Sequence, residues 1–204
     1  MLLDLVSLSK KYSLDLRGVI HIGAHYGQEN KIYDELNIEH RIFFEPLSSN
    51  FSILEQRVDS KYHLIKKALG NENKTVEMFV EVANKGQSSS ILKPSKHLLQ
   101  YPQIQFPFTE QVEMSRLDDL GLDLSFYNFI NIDVQGYELE VFKGAEKTLE
   151  KIDFIISEVN REELYENCAK IWDLQNFLTP YGFHMQEVNW AGQTWGDAFF
   201  LKEK

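Results

Sequence analysis

The sequence predicts an α/β domain in which helices cover both faces of a mostly parallel sheet. Short apolar runs typical of buried strands alternate with segments whose apolar residues recur at helical spacing, over most of the 204 residues. Near the C-terminus, two strand-like segments are separated only by residues 191–195, and so short a link favours an antiparallel hairpin. The alternation favours parallel strands joined by helical crossovers, and the hairpin adds an antiparallel strand.

The first part of the chain shows this alternation from its start. Residues 1–16 predict a helix that packs on the domain, because Asp4 interrupts the apolar part and lysines follow it, which is the wrong order for a secretory signal. An apolar run ends at Gly23, and apolar residues recur at helical spacing from Phe51 to Val58. The predicted strands are 18–22, 41–45, 62–69 and 75–81, and the predicted helices are 27–37 and 46–58.

The middle of the chain is the least regular part. Residues 83–110 hold three of the five prolines and are long enough to form a functional loop, and residues 110–117 predict another extended segment. No Pro/Gly-rich linker or repeat divides the sequence. We therefore expect a single domain over residues 1–204, with residues 83–116 as a variable insertion on the substrate side.

The last part of the chain returns to clear alternation. A buried strand is predicted at 128–133, a helix at 137–151 and a further strand at 153–159. Another helix is predicted next from an apolar stripe, and the chain closes with the two hairpin strands 182–190 and 196–204. The stripe consists of Leu164, Cys168, Ile171 and Leu178.

Composition excludes several classes of protein. Aliphatic and aromatic residues make up 43% of the chain, as in ordinary globular proteins, and no apolar run approaches the ~20 residues of a membrane helix. A single cysteine, Cys168, excludes an internal disulfide and a cysteine metal cluster, and fits a reducing cytoplasm. The net charge of −10 repels phosphate backbones and anionic lipid, so we expect neither nucleic-acid binding nor membrane insertion.

Polar and small residues follow the predicted strands at the points where they end. In a parallel sheet, ligands bind beyond the carboxyl ends of the strands. We therefore expect the residues at or just after the predicted strand ends to line one crevice: Gly23, Glu45, Ala68, Asp133 and Glu158.

The segment GVIHIGAHYGQ, residues 18–28, predicts a strand, a tight turn and a helix. A dinucleotide would require the pattern G-x-G-x-x-G and an acidic residue about 20 positions later. Glu45 satisfies the second condition, because it lies 22 positions after Gly23 and could accept hydrogen bonds from ribose hydroxyls. His25, however, stands where the second glycine would let the backbone approach a diphosphate.

A nucleoside without phosphates fits this turn better, and S-adenosylmethionine is such a ligand. Chain length agrees, since a dehydrogenase of this type needs a second domain for its substrate. A purely structural interpretation also remains open: Gly23 and Gly27 would only form a tight turn, and Glu45 would only complement the N-terminus of the following helix.

A second segment, NFINIDVQGYELEVFKGAEKTL, carries two carboxyl groups close to the predicted crevice. The buried strand delivers Asp133 to its carboxyl end, Gly136 permits a tight turn, and Glu138 enters the first turn of a helix. A catalytic interpretation and a structural one are both open here. In the structural one, Asp133 caps the helix and Glu138 complements its dipole.

Together these segments resemble the FkbM-type methyltransferases. The resemblance covers residues 18–160 and rests on VIHIGAHYGQ, IFFEPLSSNF, LIKKALGN, SRLDDL, IISEV and above all DVQGYELEVFKGA. It implies a class I methyltransferase (Rossmann-like) fold with a seven-stranded sheet and a terminal antiparallel hairpin. It also implies S-adenosylmethionine as cofactor and O-methylation of a sugar hydroxyl or a related metabolite.

The resemblance also implies roles for individual residues. Glu45 would hold the ribose, and Asp133 would lie near the transferred methyl group. As the general base we expect Asp133 first, then Glu158, and then a histidine of the insertion such as His97. The cofactor-binding residues implied in this way are His21, Gly23, Ala24, His25, Gly27, Glu45, Ala68, Leu69, Asp133 and Val134.

His21 departs from the pattern of the family, and three carboxyl groups raise the question of a metal ion. His21 stands where the family often has an aspartate that helps to hold the cofactor ammonium, and a neutral imidazole supplies no countercharge. Asp133, Glu138 and Glu158 are oxygen donors suited to Mg²⁺, but their spacing is not diagnostic, so no metal site is predicted and Mg²⁺ is kept only as an open second cofactor.

The favoured function is therefore a cytoplasmic O-methyltransferase with a small-molecule or glycan acceptor. Two alternatives remain: an NAD-dependent oxidoreductase, and a non-catalytic nucleoside-binding domain of the same fold, for which His21 is the best argument. The sequence predicts neither the acceptor nor the oligomeric state.

Overall fold

The structure is a computed structural model that describes residues 1–203. The first third of the chain alternates helices and strands. Its elements are α1 (Leu5–Tyr12), β1 (Gly18–Ile22), α2 (Asn30–Glu35), β2 (His40–Phe44), α3 (Ser48–Arg57) and β3 (His63–Ile65).

The remaining elements include the insertion and the terminal hairpin. They are β4 (Ala68–Leu69), β5 (Lys74–Val80), α4 (Lys96–Gln100), β6 (Phe108–Ser115), β7 (Phe129–Ile132), α5 (Glu138–Lys143), α6 (Glu146–Leu149), β8 (Phe154–Asn160), α7 (Ile171–Leu178), β9 (Phe183–Ala191) and β10 (Trp195–Lys202). None of the helices in the described part of the chain is long and apolar enough to cross a membrane.

Seven strands form the main sheet in the order β3-β2-β1-β7-β8-β10-β9. The first five of these are mutually parallel, and β10 is antiparallel to both of its neighbours, β8 and β9. Every residue of β1, β7 and β8 is buried, because helices and apolar side chains cover both faces of the sheet. The predicted fold class, a mostly parallel seven-stranded sheet with a C-terminal antiparallel hairpin, is thus confirmed.

The single strand predicted at 62–69 is wrong, because the chain turns in its middle. A tight turn closed by the Lys67 N–H on the Ile65 carbonyl (3.0 Å) separates β3 from β4. The strand β3 completes the main sheet, whereas β4 joins a second sheet of order β4-β6-β5. This small sheet is formed within residues 68–115, and its strand β6 belongs to the insertion predicted at 83–116.

The single helix predicted at 137–151 is also wrong, because it breaks into α5 and α6 at Gly144. A Cβ atom at this position would lie 1.9 Å from the Gly70 carbonyl oxygen. The chain passes so close to the start of the second sheet that only glycine fits.

Gly144→Ala is therefore expected to lower the free energy of unfolding by about 3 kcal/mol through overpacking. Its φ of −86° is ordinary, so the loss would come from steric contact alone. Chemical denaturation measures it, with Gly192→Ala as comparison: that residue has a φ of +70° and a Cβ atom added there would meet nothing within 4 Å, so only backbone strain of about 1–2 kcal/mol applies. A smaller loss at position 144 than at position 192 would contradict the close approach.

The helix predicted from the stripe Leu164 to Leu178 begins only at Ile171. Residues 161–170 are irregular because their backbone bonds to the insertion: the Leu164 carbonyl accepts from the N–H groups of Ser95 (2.9 Å) and His97 (3.0 Å). Leu164 and Cys168 belong to a small separate apolar cluster with Tyr165. Their helical spacing was coincidental, and they fasten this segment to the insertion.

Candidate functional site

A cavity of about 670 Å³ opens beyond the carboxyl ends of the parallel strands. That size lies within the range of small-molecule sites. All five residues expected at the strand ends line it: Gly23, Glu45, Ala68, Asp133 and Glu158. The predicted convergence is confirmed, although Ala68 reaches the cavity from the start of β4 rather than from the end of β3.

The turn after β1 is held tightly against its neighbours. Gly23 has a φ of +78°, and a Cβ atom there would lie 1.9 Å from the Asp133 carbonyl oxygen, so glycine is required by the packing of β1 against β7. The N–H groups of Gly23 and Ala24 both donate to the Phe44 carbonyl, at 3.0 and 2.9 Å. Gly23, Ala24 and His25 line the cavity.

Gly27 lies elsewhere. A Cβ atom there would meet Val58 and Leu54 at 2.7 and 2.8 Å, and Gly27 is not among the residues that line the cavity. The glycine therefore lets α3 pack against the turn. The predicted contact of Gly27 with the cofactor gains no support from this position, because helix packing by itself explains the residue.

Glu45 lies at the end of β2 and is only 4% exposed. Its carboxyl group accepts hydrogen bonds from the backbone N–H groups of His25 and Leu47, both at 2.9 Å. Burial raises the pKa of Glu45 to about 7, and the two N–H groups oppose that rise. Because each carboxylate oxygen can accept more than one hydrogen bond, the group retains capacity for a ligand in the cavity.

His21 lies within β1, buried, and lines the cavity. Its Nδ1 atom is 3.3 Å from the hydroxyl of Tyr33, which in turn accepts from the Asn131 amide at 2.7 Å. The Tyr33 proton therefore points to Nδ1, and burial lowers the pKa of His21. The imidazole is neutral near pH 7, as expected, and is held by a tyrosine side chain.

Two carboxyl groups, Asp133 after β7 and Glu158 in β8, are joined by an amide. The Gln135 side-chain NH₂ group donates to Asp133 (2.7 Å) and to Glu158, and the Gln135 side-chain oxygen lies 2.9 Å from the Tyr165 hydroxyl. Asp133 is exposed, whereas Glu158 is buried. Burial, together with the nearby Asp133 carboxylate, raises the pKa of Glu158 well above its usual range. Glu158 thus keeps its proton to a higher pH than an ordinary glutamate does.

Gln135 was missed in the sequence. It sits in the segment DVQGYE, where it could be read only as part of a turn, and its positive φ of 54° shows that this turn is strained. Asp197 on β10 was missed too; it lines the cavity and accepts the Leu2 N–H. No sequence signal indicated Asp197, because its position depends on how the hairpin pairs with β8.

Glu138 is 1% exposed and does not line the cavity. One carboxyl oxygen accepts from the N–H groups of Val134 (3.1 Å) and Gly136 (3.0 Å), and the other has no partner. Glu138 thus secures the turn that presents Asp133. This arrangement matches the structural interpretation of Glu138 more closely than the catalytic one.

The Mg²⁺ that the sequence left open finds no support. Asp133, Glu138 and Glu158 each offer one oxygen within 4.8 Å of the others. However, the Gln135 amide already joins two of these groups, and burial favours the protonated form of Glu138 and Glu158. Protonated carboxyls are poor ligands for a hard cation.

Stability is expected to depend on pH through Glu138. Burial raises its pKa to about 7 in the folded protein, from 4.5 in the unfolded chain. The stabilising contribution is fully present below pH 4.5 and is lost as the pH rises through 7, by about 3 kcal/mol in all. Glu138→Gln should reduce the slope of stability with pH between 4.5 and 7.5 by the share of Glu138, whereas the shares of Glu45 and Glu158, whose pKa values burial also raises, remain. Glu140→Gln, at a half-buried ion pair with Lys143, is the control; an unchanged slope in Glu138→Gln would show that other groups cause it.

Known protein sequences and solved structures are similar to most of this chain. The sequence profile described as "Methyltransferase FkbM domain" matches residues 21–185. The 2-O-methyltransferase NoeI of Sinorhizobium fredii (strain NBRC 101917 / NGR234) is 28% identical over 173 residues, which cover 80% of this chain and 71% of NoeI.

Solved methyltransferases share the fold at low sequence identity. Magnesium protoporphyrin IX methyltransferase (ChlM) from Synechocystis PCC 6803, solved with bound SAM, has a TM-score of 0.52 and 9% identity, over 96% of this chain and 74% of ChlM. Ribosomal protein L11 methylase from Lactobacillus delbrueckii subsp. bulgaricus has a TM-score of 0.53 and 12% identity, over 98% and 77% of the two chains. These two likenesses support the class I fold.

Proposed function

Because the chain belongs to the FkbM methyltransferase-domain family, we propose that it transfers a methyl group from S-adenosylmethionine to a hydroxyl of a sugar, glycan or related metabolite. The observation that carries this proposal is a single cavity lined by two carboxyl groups. Glu45 follows β2 and Asp133 follows β7, on either side of β1. O-methylation is further supported by the likeness to NoeI, which is named a 2-O-methyltransferase.

In this proposal the cofactor lies across the ends of β1 and β2. Glu45 accepts hydrogen bonds from the ribose hydroxyls, and Ala68 and Leu69 lie beside the adenine. The turn Gly23–His25, with His21 and Val134, surrounds the methionine part. All of these residues line the cavity. Gln135, not predicted from the sequence, would keep Asp133 turned toward the reacting hydroxyl.

Methyl transfer is a displacement at carbon in which the methyl group moves from the sulfonium to an acceptor oxygen. The protein contributes chiefly by aligning the two reactants. A sugar hydroxyl is a weak nucleophile, so a base within hydrogen-bond reach assists. Asp133 fits this role best, because it is exposed toward the cavity whereas Glu158 is buried and holds its proton.

The oxidoreductase alternative is weakened by the first turn. In a dinucleotide site, free backbone N–H groups receive the diphosphate. Here the N–H group of His25 donates to Glu45, and those of Gly23 and Ala24 donate to the Phe44 carbonyl. A diphosphate would therefore meet backbone N–H groups that already donate within the protein, and the side chain of His25.

Calorimetric titration with S-adenosylmethionine, S-adenosylhomocysteine and NAD tests the cofactor. We expect micromolar or tighter binding of the first two and none of NAD. Release of S-adenosylhomocysteine in the presence of hydroxylated acceptors then tests catalysis. Binding of NAD alone would favour the oxidoreductase, and cofactor binding with no turnover of any acceptor would favour the non-catalytic nucleoside-binding domain.

A further inference from the structure

Besides the residues of the proposed cofactor site, the cavity is lined by residues of the insertion and of two later segments. Six of these residues are called here the insertion-side subsite: Ser88, His97, Tyr101, Gln103, Leu164 and Trp195. The Leu164 carbonyl holds α4 in place through the N–H groups of Ser95 and His97. The walls of the insertion-side subsite come from three separate segments of the chain, namely the insertion and the segments around Leu164 and Trp195.

Aromatic rings form one wall of the insertion-side subsite and are locked together. The His97 ring lies 5.1 Å from the ring centre of Tyr101 and 5.4 Å from that of Tyr165. The Trp195 indole N–H donates to the Tyr101 hydroxyl at 2.9 Å. Rings held in this way offer a rigid apolar surface at little cost in conformational entropy.

Acidic side chains outnumber basic ones among the residues that line the cavity. Five lining residues carry carboxyl groups: Glu29, Glu45, Asp133, Glu158 and Asp197. His97 is 4% exposed and its Nδ1 atom has no partner. Burial lowers the pKa of His97, so the ring is neutral near pH 7 and adds no positive charge to the cavity.

Cationic groups are scarce in the cavity. Among its lining residues in the described chain, Lys67 is the one lysine and there is no arginine. Lys67 lies on the cofactor side and is paired with Glu113. The insertion-side subsite therefore contains no lysine or arginine that could pair with a phosphate.

We infer that the insertion-side subsite binds an uncharged saccharide and rejects phosphorylated and nucleotide-linked sugars. Sugar hydroxyls form hydrogen bonds with uncharged polar side chains such as Ser88 and Gln103, and the C–H face of a sugar ring packs on aromatic side chains such as Tyr101. Phosphate oxygens carry charge and only accept hydrogen bonds, and the insertion-side subsite has no lysine or arginine to pair with them. This inference rests on the proposed function, which left the acceptor open between sugar, glycan and metabolite.

The test compares matched acceptors on the protein saturated with S-adenosylhomocysteine. Methyl glycosides and short oligosaccharides of common hexoses and deoxyhexoses are titrated beside the 1-phosphates and UDP conjugates of the same sugars. We expect at least one neutral saccharide to bind about 10-fold or more tightly than its phosphorylated counterparts. Equal or tighter binding of the phosphorylated forms, tighter binding of an RNA oligonucleotide, or no binding of any saccharide would overturn the inference.

Two variants of lining residues and one control variant locate the binding of the saccharide. Tyr101→Ala should weaken the neutral saccharide about 10-fold without changing the affinity for S-adenosylhomocysteine. Gln103→Arg, at an exposed position of the lining, should strengthen binding of the sugar phosphate several-fold. Trp172→Ala, at an exposed aromatic outside the cavity, should change neither.

These measurements separate the inference from the function on which it rests. If S-adenosylhomocysteine does not bind the wild-type protein, the proposed function fails. Two other results would leave the proposed function standing and show that the saccharide subsite is wrong. In the first, S-adenosylhomocysteine binds but the protein does not bind neutral saccharides more tightly than phosphorylated ones. In the second, Gln103→Arg leaves the binding of sugar phosphates unchanged.

Discussion

Replacing Asp133 with asparagine is expected to lower kcat for methyl transfer by about 10²–10⁴-fold. The asparagine would keep the shape of the side chain and an oxygen for the Gln135 amide, which donates to Asp133 at 2.7 Å. It would lose the capacity to take a proton from the acceptor hydroxyl. The fold should survive, because Asp133 is exposed and its backbone N–H, bonded to the Ile22 carbonyl, is unaffected.

The measurement distinguishes the two roles assigned to Asp133. A general base affects kcat and leaves the dissociation constant for S-adenosylhomocysteine nearly unchanged. Replacing a group that only holds the cofactor would raise that dissociation constant and leave kcat at saturating cofactor unchanged. Asp123→Asn, in an exposed turn away from the cavity, is the matched control. Undiminished turnover in Asp133→Asn would remove Asp133 from the mechanism.

Replacing Glu45 with alanine is expected to weaken cofactor binding about 10–100-fold, the effect of losing hydrogen bonds between a charged group and the ribose hydroxyls. Because Glu45 also accepts from the N–H groups of His25 and Leu47, this variant will be less stable as well. Affinity is therefore measured by calorimetry well below the unfolding temperature. Glu45→Gln retains one acceptor oxygen and should show a smaller loss of affinity.

Comparing two nucleosides isolates the ribose contact. The wild-type protein should bind adenosine more tightly than 2′-deoxyadenosine, and Glu45→Ala should bind the two about equally. Glu77→Gln changes an exposed carboxylate outside the cavity and should keep the wild-type preference. A preference that persists in Glu45→Ala would mean that another group holds the ribose.

Strand ends were the most predictable part of the candidate site. Gly23, Glu45 and Asp133 follow apolar runs, and the carboxyl ends of parallel strands meet at one edge of a sheet whatever the details of packing. Gln135 and Asp197 could not be found in the same way. The contacts of Gln135 with Glu158 and Tyr165 span 23 and 30 positions of sequence, so no local pattern records them.

Helices and strands were mispredicted where a tertiary contact overrode the local pattern. Residues 137–151 have a helical pattern throughout, yet Gly144 meets the backbone of Gly70 and the helix breaks there. Leu164 and Cys168 fit a helical stripe, yet their segment bonds to the insertion. In both cases the competing contact lies far away in sequence, where periodicity carries no information.

The sequence by itself determined the order of strands and helices, the parallel sheet with its terminal hairpin, and the edge at which the polar residues meet. Those properties follow from hydrophobic periodicity and turn residues, which act over a few positions. Only the tertiary structure decided that Gln135 joins Asp133 to Glu158, that Gln135 and Tyr165 share a hydrogen bond, and that burial raises the pKa of Glu158. Charge state and hydrogen-bond partners depend on what surrounds a group in space, and distant parts of the chain supply those surroundings.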